Sequence, residues 1–324
     1  MAIPGREHDR RRPGTHRGQT GRWAIVLVRG DGTRLRDLTR RIAGDDRPKQ
    51  FCRLLGETAL LAETWRRMAL EVLPGPNVLL VSHAHGRFHA PLLADAWPRR
   101  VVAQPENRAP AIFYALLRVT TVARNAAVAI SPSDHYVSDD EASMAHVGAG
   151  FDRVAARPEL VALLAITPDR PETEYGWIEP GEPVAGRSGR RSIGSDASGR
   201  GPRPTSGGPS LRLAACGIAL SSSVGLPGSS GIGRTLPDLN HAFRALRRFL
   251  GTRLEAAVGQ GRLSSTDFSR CVLARSPAHL AVLAVREVAW SDLGRPERMV
   301  ALRPGRAALR DEIGGPTVVA AAAG

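Results

Sequence analysis

Apolar positions in the first half of the chain fall into short unbroken runs, separated by stretches in which they recur three and four residues apart. The runs are WAIVLV (23–28), NVLLVS (77–82), RVVAQ (100–104), AAVAIS (126–131) and ELVALLAIT (159–167). They lack the polar-apolar alternation of a half-exposed strand, so they predict strands covered on both faces. Between them, ETALLAETWRRMALEVL (57–73), the stretch after His85, APAIFYALLRVTTVARN (109–125) and EASMAHVGAGFDRVAAR (141–157) carry helical spacing. Strand and helix in alternation predict right-handed crossovers: an α/β fold with a Rossmann-like, mostly parallel sheet and helices on both faces. Ligands of such sheets bind beyond the carboxyl ends of the strands. Chemistry is therefore sought in the loops RGDGTR, SHAH, QPENR, SPSDHY and TPDRPETEYG.

The pattern breaks after Trp177. No aromatic residue occurs from 178 to 242, and residues 185–234 hold 12 Gly and 11 Ser. That composition predicts a disrupted Gly/Ser-rich insertion, flexible at least over 185–210. Helical spacing resumes in LPDLNHAFRALRRFL (236–250), a further strand region is expected in AHLAVLAVREVAW (278–290), and a short helix near Pro296. The chain divides accordingly into a basic tail (1–22), a core (23–184), the Gly/Ser-rich segment (185–234), a C-terminal part of the same domain (235–302) and a second tail (303–324).

Composition narrows the partners. A net charge of +14 points to a polyanion, but the arginines are scattered along the chain, not clustered with aromatics, which argues against nucleic acid. Cys52, Cys216 and Cys271 form no C-x-x-C pair, which argues for a reducing, cytoplasmic setting and against a disulfide frame or zinc site. No apolar run reaches the length of a bilayer span, and the Arg-rich start lacks the apolar stretch of a secretory signal. His83, His85 and His89 in SHAHGRFH have no accompanying carboxylate and read as a helix start at the surface, not a metal site.

One residue stands out against that background. Of the 45 lysines and arginines, only Lys49 is a lysine. It follows a G-x-G-T-R turn placed straight after the first strand, where Gly30 and Gly32 let backbone N–H groups approach phosphates closely. A compact ammonium on a flexible stem reaches a single phosphate in a way the planar guanidinium fork does not.

GDGTRL…PKQF, together with QPENR…APAI (104–112), SDH (133–135), ITPDRPETEYGWIEPG (166–181), STDFSR (265–270) and WSDLG (290–294), resembles the sugar-1-phosphate nucleotidyltransferases, and among them the mannose-1-phosphate guanylyltransferases. The motifs occur in the family's order over roughly residues 23–184 and 236–302. The resemblance implies the nucleotide-diphospho-sugar transferase fold and a direct displacement. In it, the phosphate oxygen of a sugar 1-phosphate attacks the α-phosphorus of a nucleoside triphosphate, and pyrophosphate leaves. Such chemistry depends on positioning and charge neutralisation more than on a proton shuttle.

By the resemblance, Arg34 and Lys49 steady the phosphates, while Gly30, Asp31, Gly32 and Thr33 cradle the nucleotide and Gln104 and Asn107 lie near base or ribose. It implies further that Asp134 and Asp292 hold Mg2+, and that Gly176 and Glu179 contact the sugar. The implied partners are a nucleoside triphosphate, GTP, and mannose 1-phosphate. The chain departs from the family at Val28–Arg29–Gly30, where A-G-G is usual, and in a shortened loop at Asn107–Pro110. A second signature lysine, in E-K-P, and the W-N-S-G stretch are missing; both belong to the sugar side. Residues 190–234 are read as a degenerate or frame-shifted replacement for those strands, which leaves a catalytically impaired nucleotide-binding relic as the alternative function.

Overall fold

A computed structural model of the chain describes residues 21–28, 30–73, 77–82, 85–93, 100–104, 108–123, 125–166, 177–184, 189–196, 213–222, 248, 273 and 279–302. In chain order the elements are β1 (Arg22–Val28), α1 (Arg36–Ala43), α2 (Leu60–Met68), β2 (Asn77–Ser82), α3 (Gly86–Leu93), β3 (Arg100–Gln104), α4 (Arg108–Val122), β4 (Ala127–Pro132), β5 (Tyr136–Val137) and α5 (Asp140–Ala156). They continue with β6 (Val161–Ile166), β7 (Trp177–Val184), β8 (Gly189–Asp196), β9 (Leu213–Ser222), β10 (Leu280–Val285), β11 (Trp290–Ser291) and α6 (Pro296–Leu302). Short 3-10 turns cover Thr33–Leu35 and Lys49–Phe51.

Nine strands make one sheet in the order β3-β2-β1-β4-β9-β6-β10-β8-β7. β1 pairs in parallel with β2 and β4, β2 with β3, and β6 with β10. β9 runs antiparallel to β4 and β6, and β8 antiparallel to β10 and β7, so only β8 and β9 oppose the common direction. Successive residues of β1 serve opposite faces. Ile25 packs with Ile112, Leu116 and Val119 of α4, whereas Ala24, Val26 and Val28 pack with Trp65 and Met68 of α2 and Val147 and Phe151 of α5. Both faces are covered by helices, as the unbroken apolar runs require.

Two expectations need correction. The Gly/Ser-rich interval is not wholly flexible: it contributes β8 and β9, and β9 stands inside the sheet between β4 and β6. LAACGIALSS is an apolar run without aromatics, and a central strand needs its backbone paired on both sides more than it needs bulk. The expected helix at 236–250 lies outside the described residues, apart from residue 248. The segment from the glycine turn to Pro48 is folded locally. It contains α1, whose Leu38 is buried beside Leu35, Leu54 and Leu60 while its arginines face outward. The region expected as one strand over 278–290 is two, β10 and β11, with a turn between them.

A two-stranded sheet positions the site. Residues of β5 and β11 pair antiparallel, Trp290 with Val137 and Ser291 with Tyr136. Continuing that register brings the residues just before β5 alongside those just after β11, where Asp134 and Asp292 stand.

Candidate active site

The turn after β1 and the segment of Lys49 form one structural unit. Gly32 is left-handed at φ +58°, and a Cβ there would lie 3.4 Å from the Lys49 nitrogen and 4.0 Å from its Cγ. Gln50, fully buried, donates from Nε2 to the Gly30 carbonyl at 3.1 Å. The lysine stem thus lies across the glycine corner, while Gly30, Asp31, Thr33 and Arg34 are exposed around it. Phe51 and Cys52 anchor the far end of the segment in the core; burial pushes the Cys52 thiol up to about 12, which leaves it a packing group and not a nucleophile.

Lys49 is only 9% exposed, and its ammonium points inward. Nζ lies 3.1 Å from Asp134 Oδ2, donates to the Leu293 carbonyl at 3.3 Å, and donates also to the Asp292 carbonyl. Three donors meet three oxygens. A flat guanidinium cannot meet an acceptor set converging on one atom in this way, a geometric reason for a lysine in an arginine-rich chain.

Asp292 is fixed from its own turn. Its Oδ1 accepts from Gly294 N at 3.0 Å and from Arg298 Nη1, and Arg298 on α6 is 5% exposed. Leu293 holds φ +50°, tolerated because its side chain is fully buried with Leu35, Leu54 and Met299. Asp134 follows β4; its Oδ1 lies 3.6 Å from His135 Nε2, and the His135 ring meets Trp290 edge-on at 5.2 Å between centroids.

Asp134 and Asp292 offer hard oxygen donors, and among the described residues no third carboxylate, histidine or cysteine joins them in a metal-binding group. That donor set fits Mg2+, which takes one or two protein carboxylates and completes its octahedron with water and phosphate oxygens. It does not fit a closed protein cage.

The structure therefore links Gly32, Asp134 and Asp292 through Lys49, and Gly30, Asp31, Thr33 and Arg34 lie in the same turn as Gly32. Gln104 ends β3, one residue beyond Ala103, which is level with Val81 and Val28 at the carboxyl rim of the sheet. Glu179 lies in β7, whose start pairs with β9 at the level of Ile166, the last residue of β6. Asn107 and Gly176 fall outside the described residues.

Sequence reasoning missed three side chains here: Gln50, Arg298 and His85. Gln50 could have been found inside P-K-Q-F. Arg298 carries no local signal among so many arginines. His85 does begin a helix, but it is buried and not at the surface: Nε2 lies 2.9 Å from Asp31 Oδ1, and its ring meets Phe51 edge-on. His83 lies outside the described residues.

Known proteins share this architecture. XanB, a xanthan biosynthesis protein of Xanthomonas campestris pv. campestris, is 34% identical over 161 residues, 48% of this chain and 33% of the relative. AlgA, an alginate biosynthesis protein of Pseudomonas aeruginosa, is 31% identical over 159 residues, 48% of this chain and 31% of the relative. A mannose-1-phosphate guanylyltransferase of Escherichia coli is 28% identical over 169 residues, 49% of this chain and 33% of the relative. The match thus spans about a third of the length of these curated relatives.

Among solved structures, mannose-1-phosphate geranyltransferase from Thermus thermophilus superposes with a TM-score of 0.71 at 26% identity, covering 87% of this chain and 79% of that one. A mannose-6-phosphate isomerase structure from Helicobacter pylori, at 15% identity and a TM-score of 0.60 over 83% of this chain and 99% of that one, shares the fold. That fold is the nucleotide-diphospho-sugar transferase fold expected from the motifs. The family model described as nucleotidyl transferase matches residues 23–190, more than half of the 324, and the chain belongs to that family.

Proposed function

We propose that the protein transfers a nucleotidyl group from GTP to mannose 1-phosphate with Mg2+, giving a GDP-sugar and pyrophosphate in the cytoplasm. One observation carries the reading: Lys49, lying over the glycine corner, reaches with its ammonium the Asp134 carboxylate beside β5 and the Asp292 backbone carbonyl beside β11. In this reading the glycine corner supplies backbone donors for phosphate, Lys49 a cation, and the two aspartates oxygen ligands for the same nucleotide.

In this reading Gly30, Asp31, Gly32 and Thr33 shape the phosphate cradle, and Arg34 and Lys49 offset charge on the triphosphate as pyrophosphate departs. Gln104 and Asn107 lie toward the base or ribose, and Gly176 and Glu179 toward the sugar. Asp134 and Asp292 hold the magnesium ion, which when bound supplies charge neutralisation at phosphate oxygens. The buried Gln50 bond to Gly30 and the buried Leu293 side chain hold the backbone of the two walls, and in this reading that fixed backbone serves to position the reactants.

The guanine and mannose assignments draw on the relatives named above. The test is pyrophosphate release from GTP plus mannose 1-phosphate, run beside ATP, dTTP and glucose 1-phosphate. Turnover with the first pair alone supports the assignment, and turnover with another pair moves it to that base or sugar.

One observation favours a second reading. With a single lysine in its 324 residues, the chain lacks the family's sugar-side lysine. A nucleotide-binding relic follows if calorimetry shows GTP binding and no pair gives pyrophosphate.

A further inference from the structure

We infer that Lys49 is also the resident counter-ion of the Asp134 carboxylate, so that a divalent ion enters the site of Asp134 and Asp292 only together with a nucleotide that draws the amine away. The inference rests on the assignment of these aspartates as magnesium ligands.

The charges around the pair already balance. Asp134 Oδ2 has Lys49 at 3.1 Å, and Asp292 Oδ1 has Arg298. Side chains of Asp134 and Asp292 are only 20% and 27% exposed, so solvent screens these pairs incompletely. A divalent ion arriving alone meets two carboxylates compensated by two cations, and must push against the nearer ammonium at contact range.

The two cations differ in what they can do. Arg298 projects from α6, six residues beyond the aspartate it holds, and is buried. It stays with Asp292. Lys49 reaches Asp134 from the opposite wall on a four-carbon stem whose Cγ already lies over Gly32. Rotation about the outer bonds of that stem carries Nζ from the carboxylate toward phosphates above the glycine corner, with no backbone movement. A triphosphate replaces the oxygens that the amine gives up, and the amine's departure exposes Asp134 Oδ2 to the ion that the triphosphate carries. Ion and nucleotide therefore strengthen each other's binding, by the same factor in either direction.

Mn2+ binding, followed by its electron paramagnetic resonance signal, tests this with and without GTP. The wild-type protein is expected to bind Mn2+ weakly alone and tightly with GTP. Lys49→Met, which keeps the stem and removes the charge, is expected to bind Mn2+ alone about tenfold more tightly than wild type, a gain that no damaged fold would give. Lys49→Arg, which keeps the charge, is expected to stay at the wild-type value.

A second measurement uses the unaltered protein. Because Lys49 is the only lysine, [13Cε]lysine labelling gives one side-chain resonance. It is expected to stay in place with Mg2+ and to move with Mg2+ and GTP. Unchanged Mn2+ affinity in Lys49→Met, or a stationary resonance while calorimetry shows GTP bound, overturns the counter-ion role and leaves the nucleotide site standing. Absence of GTP binding in calorimetry overturns both.

Discussion

A Cβ on Gly32 would lie 3.4 Å from the backbone nitrogen of Lys49, with Gly32 at φ +58°. The glycine corner and the lysine segment, well separated in sequence, are packed backbone against backbone. Gly32→Ala would place a methyl at ordinary contact distance, so its cost comes from the left-handed backbone, about 1 kcal/mol. Relaxing that strain turns the corner that aims N–H groups at phosphate. GTP affinity is expected to fall about tenfold, more than stability does, as read by calorimetry beside thermal melts. Gly32→Asn, which tolerates the left-handed region, is expected to recover stability and most of the affinity.

Lys49→Arg separates charge from shape. The guanidinium keeps the charge but cannot gather the oxygens of Asp134, Asp292 and Leu293 around one nitrogen. We expect the transfer rate to fall about a hundredfold, in the range seen when one aligned charge-stabilising group is lost. The melting temperature is expected to change by no more than a few degrees. Wild-type turnover in this variant would show that any cation suffices at position 49.

The parts of the site that were legible in the sequence are those where chemistry dictates residue type at a strand end. Gly32 and Lys49 drew notice as a tight turn after a strand and the one lysine, and Asp134 and Asp292 through the resemblance; the structure links the four through Lys49. What escaped notice depends on partners distant in sequence. Arg298 is one arginine among many, and only the fold sets it against Asp292. RDLTRRIA reads as polar because its apolar positions reduce to Leu38, Ile42 and Ala43, yet a shallow contact with the core is enough for a helix at the surface. β9 was hidden by composition: its small apolar run is flanked by glycine and serine, and its strand identity comes from pairing on both edges. The strands β1 to β4 and β6 and the helices α2 to α5 were legible because each buries a face or a whole run, a requirement that local sequence expresses directly.

Stability should depend on pH through Glu63. Burial pushes its carboxyl above the ordinary 4.5, and the Thr58 hydroxyl at 3.2 Å and the nearby Arg67 and Arg66 offset this only in part. The folded state therefore holds the proton more tightly than the unfolded chain. This contribution is fully present below 4.5 and is lost as pH rises through the raised folded value. Glu63→Gln lacks this loss while keeping an acceptor for Thr58. Its melting temperature is expected to gain on wild type as pH is raised from about 4 to about 7. A constant difference across that range would mean that burial of the carboxylate costs nothing.

Arg298 and Asp292 should be energetically coupled, because the pair is shielded on the arginine side. Two supports hold the carboxylate: Gly294 N at 3.0 Å and Arg298 Nη1. If the backbone bond alone fixed Asp292, removing the guanidinium would change stability through lost packing and leave Asp292→Asn unaffected. If the ion pair contributes, Arg298→Met and Asp292→Asn together cost less than the sum of the two. Exposed pairs couple by less than about 1 kcal/mol, and charged hydrogen bonds in buried surroundings by about 1.5 to 3. With Arg298 5% exposed and Asp292 27%, a coupling of about 1 to 2 kcal/mol is expected from chemical denaturation of the four proteins of the cycle. A value near zero would leave the Asx turn at Gly294 as the sole support of the carboxylate and would predict unchanged Mg2+·GTP affinity in Arg298→Met. The measured coupling thus also reports how firmly Asp292, the proposed second magnesium ligand, is held before nucleotide arrives.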